Sequence, residues 1–169
     1  LMGLLSSSSK TLIGAHSLWS KSHGGFIEKI LIKLFFNKSK KIICVSKTVA
    51  EDLISNFGIK KEKIKIIFNP INVEKIKKSS ILPIEPKYQK IFNNPVIITM
   101  GRLSWEKNHS SLIKAFKEIK NKVKTAKLII LGTGDNKEPL EQLIKELDLG
   151  DSVYLLGRQD NPFKFLAKA

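Results

Sequence analysis

A single cysteine, Cys44, has no partner in the chain for a disulfide and cannot build a cysteine zinc site. Three histidines without clustered cysteines give no metal constellation, so no metal and no cofactor are expected. No stretch approaches the ~18 uninterrupted apolar residues of a spanning helix. The most apolar segment, residues 26–36, is interrupted by Glu28, Lys29 and Lys33. Leu4 to Ser9 lack the basic lead and long apolar core of a secretory signal. Cytoplasm is the expected compartment. Acidic residues are also scarce, 15 against 30 basic ones, for a formal charge of +15. That excess suits nucleic acid, an anionic membrane surface, or lysines covering exposed helix faces. Aromatics are not interleaved with the charges as a base-stacking surface needs, so no nucleic acid is expected.

Arginine is the most telling shortage. Of the 30 basic residues only Arg102 and Arg158 are arginine. Each directly follows a glycine that closes an apolar run. A chain that otherwise uses lysine for charge gains from arginine where a planar, forked donor grips phosphate oxygens.

Residues 96–107, VIITMGRLSWEK, organise the rest. Val96, Ile97 and Ile98 suit a buried strand of a parallel sheet, with Pro95 at its start. Gly101 ends the strand, Arg102 follows, and Lys107 stands just before an amphipathic helix expected over residues 108–123. Two cations beside a helix N-terminus make a natural phosphate site.

Gly101-Arg102-Leu103-Ser104-Trp105-Glu106-Lys107-Asn108, continued by Leu112, Ile113, Ala115 and Phe116, resembles the opening of the second domain in retaining glycosyltransferases of the group 1 and family 4 type. Other matches occur in the same order. Residues 11–16, TLIGAH, read as a strand ending in His16, with Gly14 where relatives often carry Thr. Ile42 to Val45 read as a strand, Ser46 as a helix cap, and Phe57-Gly58-Ile59 as the helix end. Residues 64–68 form a further strand before Asn69-Pro70-Ile71-Asn72, which in the family marks the passage between domains. Residues 128–131 are a strand closed by Gly132-Thr133-Gly134, where glycine serves either ligand approach or a tight turn. Pro139 suits the first turn of the next helix. Residues 153–156 are a strand closed by Gly157-Arg158, and Asn161-Pro162-Phe163 opens another helix.

Strand and helix alternate throughout, which predicts α/β architecture with parallel sheets. The resemblance implies a GT-B type fold with parts of two Rossmann-like domains. Residues 1–70 would belong to the acceptor-side domain, 71–94 to an interdomain linker, and 95–169 to the nucleotide-sugar donor domain. Gly24 and Gly25 break the chain before a helix whose stripe, Ile27, Ile30, Leu31, Leu34 and Phe35, is expected to pack on the first sheet.

The resemblance further implies transfer of a sugar, with retention, from a nucleotide-sugar, expected to be a UDP-sugar. The acceptor would be a glycan or lipid-linked molecule in cell-surface polysaccharide synthesis. Arg102, Lys107 and His16 are the implied catalytic residues. Gly101, Arg102, Lys107, Gly132, Gly134 and Gly157 are the implied donor-binding residues, with the base beside the Gly157 turn. Peripheral contact with an anionic membrane at its inner face is a further implication. The chain begins at Leu1, and the family's Glu-x7-Glu segment would lie beyond Ala169, so an internal fragment, inactive alone, is expected. The alternatives are a non-catalytic relic, one chain of a split enzyme and, further off, a basic nucleic-acid-binding protein.

Overall fold

A computed structural model describes residues 11–21 and 25–169. The segment from Leu4 to Ser9 and the glycine break at Gly24 lie outside the described residues. The chain divides into two compact units, Leu1–Ile71 and Asn72–Ala169. Each holds a three-stranded, all-parallel sheet wound in sequence order.

The first unit contains β1 (Leu12–Ala15), α1 (Phe26–Lys38), β2 (Lys41–Cys44), α2 (Lys47–Phe57) and β3 (Ile64–Ile66). Its core joins Ala15, Ile42 and Cys44 of the strands to Phe36 of α1 and to Val49, Leu53 and Phe57 of α2. The ends of α2 follow local chemistry. The Ser46 hydroxyl accepts from Val49 N–H at 3.2 Å, so one orphan donor of the first turn is satisfied. Gly58 adopts φ 61°, a left-handed cap that glycine takes without steric penalty. Its N–H reaches Ile54 O, and Ile59 N–H reaches Leu53 O.

The orientation of α1 differs from expectation. Ile27 is 73% exposed, Leu34 54%, and Ile30 and Leu31 are also exposed, whereas Phe36 is buried. The helix is apolar on most sides, so periodicity alone could not choose the inward face. Ile32 and Phe36, four residues apart, take it. Trp19 fixes that choice with an edge-on contact to the Phe36 ring, 4.9 Å between centroids.

The second unit contains α3 (Val73–Ser80), α4 (Pro86–Gln89), β4 (Val96–Met100), α5 (His109–Lys122), β5 (Lys127–Leu131), α6 (Lys137–Glu146), β6 (Val153–Gly157) and α7 (Phe163–Leu166). β5 is central, and Leu128, Ile129, Ile130 and Leu131 are all buried because both faces of the sheet are covered. Successive side chains point to opposite faces. Leu128 and Ile130 join Ile113 and Phe116 of α5 and Leu140 and Ile144 of α6. Ile129 and Leu131 join Phe165 of α7 and Ile84 and Ile91.

Residues 71–94, expected as a linker, are therefore not a bare connection. They carry α3, α4 and a 3-10 turn, Lys90–Asn93, and almost all of them group with the second unit. The physical reason is the second face of that sheet, which Ile84, Tyr88, Ile91 and Phe92 help to cover. Polar contacts pin the segment. Asn161 Nδ2 donates to Ser79 O at 2.8 Å, and Lys164 Nζ pairs with Glu85 Oε1 at 2.6 Å. The lysine's hydrogen bond holds the Glu85 carboxyl below its ordinary range.

Among the described residues, no helix is long and apolar enough to cross a membrane. Phe165, wholly buried and packed edge-on against Tyr88, is the common anchor of this second layer. Phe165→Ala is expected to lower the unfolding free energy by about 3–5 kcal/mol, measured by urea denaturation. A loss below about 1 kcal/mol would show that the layer contributes little.

Candidate functional site at the strand ends of the second sheet

The C-terminal ends of β4, β5 and β6 lie side by side, each closed by a glycine: Gly101, Gly132 and Gly157. Open parallel sheets present their ligand crevice at this edge. A cavity of about 300 Å³ opens here, lined by Met100, Gly101, Arg102, Leu131, Gly132, Thr133, Arg158, Gln159 and Pro162. Both arginines of the chain therefore face one cavity, and among the described residues no lysine lines it. Neither arginine forms an ion pair among the described residues.

The glycines serve different ends. A Cβ on Gly132 would lie 1.9 Å from Gly101 O, at φ 140°. A Cβ on Gly134 would lie 2.3 Å from Leu103 O. Both therefore allow the loop after β5 to run against the turn after β4, a role set by chain packing. Hydrogen bonds seal that approach: Gly101 N–H to Leu131 O at 2.9 Å, Leu103 N–H to Thr133 O at 2.9 Å and Asn136 N–H to Leu103 O at 3.0 Å. Gly157 turns the chain at φ 70° beside a bulge in the β5–β6 ladder. Gly101 is different. A Cβ there would meet only Lys107 and His109 side-chain atoms, at 3.8–4.0 Å, which is ordinary contact. Protein packing does not demand a glycine at this position.

Arg102 projects from the turn between β4 and a 3-10 segment, Trp105–Lys107. Asn108 follows at φ 51° and starts α5 without a side-chain cap. The first amides of α5 thus have no side-chain acceptor, and the helix dipole adds partial positive charge. Lys107 does not line the cavity, but its carbon stem flanks Gly101. Arg102 and Lys107 share one neighbourhood. Glu106, held below its ordinary pKa first by a hydrogen bond from Ser104, is lowered further by both cations.

Gly134 and Gly157 are also outside the cavity wall, although Thr133 and Arg158 beside them are in it. His16 lies in the first unit at the end of β1 and is exposed. Its Nε2 lies 3.0 Å from where a Cβ on Gly14 would sit, so the ring occupies the space a threonine would take. Two residues gain weight from the structure. Arg158 enters the wall, a place signalled by its rarity and its Gly-Arg context. His109 is buried and places Nε2 3.2 Å from Arg102 O, a contact without a sequence signal. Among the described residues, no group of three or more His, Cys, Asp or Glu is placed to hold a metal.

Comparison with known proteins matches this architecture. The chain belongs to the family of glycosyl transferases group 1, whose model matches residues 83–169. Residues 2–75 match the model of Glycosyltransferase Family 4. An uncharacterised glycosyltransferase of Methanocaldococcus jannaschii is 40% identical over 146 residues, covering 84% of this chain and 36% of its own length. The Campylobacter jejuni N-acetylgalactosamine-N,N'-diacetylbacillosaminyl-diphospho-undecaprenol 4-alpha-N-acetylgalactosaminyltransferase is 39% identical over 142 residues, again covering 84% and 36%. The chain thus spans about a third of the length of these curated relatives. Anabaena HepE, solved in complex with UDP, superposes with a TM-score of 0.78 at 22% identity, over 95% of this chain and 45% of its own. Staphylococcus aureus TarM gives 0.68 at 18% identity, over 94% and 30%. The α/β architecture, with its parallel three-stranded sheets, is of the GT-B type.

The two glycines beside β4 separate by stability. Gly132→Ala is expected to cost about 3 kcal/mol or more, because its Cβ meets backbone rather than a movable side chain. Gly101→Ala should change unfolding free energy by less than about 1 kcal/mol. Thermal unfolding of both variants checks this, and equal losses would contradict the packing argument.

Proposed function

We propose that the protein transfers a sugar, with retention, from a UDP-sugar to a glycan or lipid-linked acceptor in the synthesis of a cell-surface polysaccharide. The observation that carries this reading is the convergence of Arg102 and Arg158 on one cavity, beside a helix start without a side-chain cap. Breaking the bond between sugar and diphosphate leaves negative charge on the leaving phosphate. Fixed donors already aimed at that charge lower the barrier without reorganising. Arg102 supplies a forked guanidinium, Lys107 a point charge and α5 its first amides. Gly101 lets the phosphates approach the backbone, which accounts for a glycine that packing does not require. Gly132, Gly134 and Gly157 bind the donor only through the shape they give the loops. His16, in the first unit, is the candidate catalytic residue for the sugar and acceptor.

The relatives support the substrate class. The Campylobacter relative is named for a diphospho-undecaprenol acceptor, and a Streptococcus pneumoniae relative is named alpha-monoglucosyldiacylglycerol synthase. Work at a lipid-linked acceptor suits peripheral contact with an anionic membrane from the cytoplasmic side. The outward stripe of α1, with Phe26, Ile27, Ile30 and Leu31 beside Lys29 and Lys33, has the composition for it.

In the full-length protein, Arg102→Ala and Lys107→Ala are each expected to lower kcat by about ten- to a hundredfold, using roughly 1.5–3 kcal/mol per charge-assisted hydrogen bond. Both residues are exposed, so melting temperature should hardly move. Unchanged turnover in either variant would remove that residue from the diphosphate site.

A further inference from the structure

His109 is 5% exposed, yet it opens a helix whose neighbouring positions, Asn108 and Ser110, are exposed. Its ring folds back under the turn after β4, with Nε2 3.2 Å from Arg102 O. The ring also lies 4.0 Å from where a Cβ on Gly101 would sit. Arg102 O accepts a second hydrogen bond, from Ser104 N–H at 2.9 Å. A carbonyl can only accept, so the imidazole nitrogen facing it carries the proton. From this geometry we infer that His109 is a positioning residue for Arg102, tying the first residue of α5 to the peptide from which the guanidinium projects.

The tie adds a hydrogen bond between two parts of the anion site that are otherwise joined by the packing of Leu103 against Ile113 and Phe116 and by the turn from Ser104 to Asn108. The α5 amides belong to one part and Arg102 to the other. Both must hold a fixed relation for the same phosphate to meet them together, since electrostatic stabilisation depends on donors already in place. Without the imidazole, the Arg102 carbonyl would keep its Ser104 bond, and Leu103 its bond to Thr133 O and its packing against α5, but the carbonyl would lose its hydrogen bond to the helix. The buried pocket would favour an apolar substitute, so the fold would persist while the turn loosened.

This inference rests on the nucleotide-sugar reading of the site. The test is UDP binding to the full-length protein by titration calorimetry, with four variants: His109→Leu, His109→Gln, Arg102→Ala and the double His109→Leu, Arg102→Ala. His109→Leu should weaken UDP by about three- to tenfold, the range for one net hydrogen bond. His109→Gln, which returns an N–H donor of similar reach, should stay within about twofold of wild type. Adding His109→Leu to Arg102→Ala should cause little further loss, because the histidine acts through the arginine. Full additivity in the double variant, or unchanged affinity in His109→Leu with Arg102→Ala impaired, would overturn the positioning role alone. If Arg102→Ala binds UDP as wild type does, or wild type does not bind it, the site reading fails and this inference with it. Should His109→Leu not fold, the Gln variant decides, with a tenfold loss despite an intact fold counting against a hydrogen-bond role.

Discussion

The site depends on one close approach of backbone to backbone. Gly132 runs so near Gly101 O that a single added carbon would lie 1.9 Å from it, and Gly134 does the same against Leu103 O. Two side-chain-free positions let the loop after β5 support the turn after β4. That support, sealed by hydrogen bonds between Leu103 and both Thr133 and Asn136, holds Arg102 at the mouth of the strand ends. The second layer backs the same place from below, because Leu131, which lines the cavity, also packs with Phe165 and Ile91.

The large positive charge has a more local use than its size suggests. Lysine ammonium groups close carbonyls that the backbone leaves open. Lys41 reaches Glu62 O, Lys63 reaches Ser39 O, Lys117 reaches Leu147 O, Lys127 reaches Asp151 O and Lys120 reaches Lys124 O. Several of these lie at helix or turn ends, where cations also meet the negative end of a dipole. A flexible stem with a compact charge suits that work, whereas the two forked side chains are reserved for the cavity.

The six strands of the described residues were legible as short apolar runs, four of them closed by glycine or by the Asn69-Pro70 turn, and each was found within one or two residues of its observed place. The arginines were legible by rarity. The inward face of α1 was not, because a helix apolar on most sides carries no unique stripe. The helical cover at residues 73–93 was hidden for the opposite reason. Its helices are short, and Ile84, Tyr88, Ile91 and Phe92 matter only once the second face of the sheet is known to need them. Gly132 and Gly134 showed that a turn was present but not which peptide they approach. His109 looked like any polar residue at a helix start, since its partner is a backbone carbonyl and carbonyls have no sequence signature.

The most direct test of convergence uses the scarcity of arginine. In protein labelled with 15N-arginine, the side-chain Nε signals of Arg102 and Arg158, assigned by substitution, report on the two sides of the cavity. Addition of UDP should shift both, with the larger change at Arg102, and raised salt should weaken the response. A folded protein in which UDP moves neither signal, or moves only Arg158, would contradict a diphosphate site built on the turn after β4.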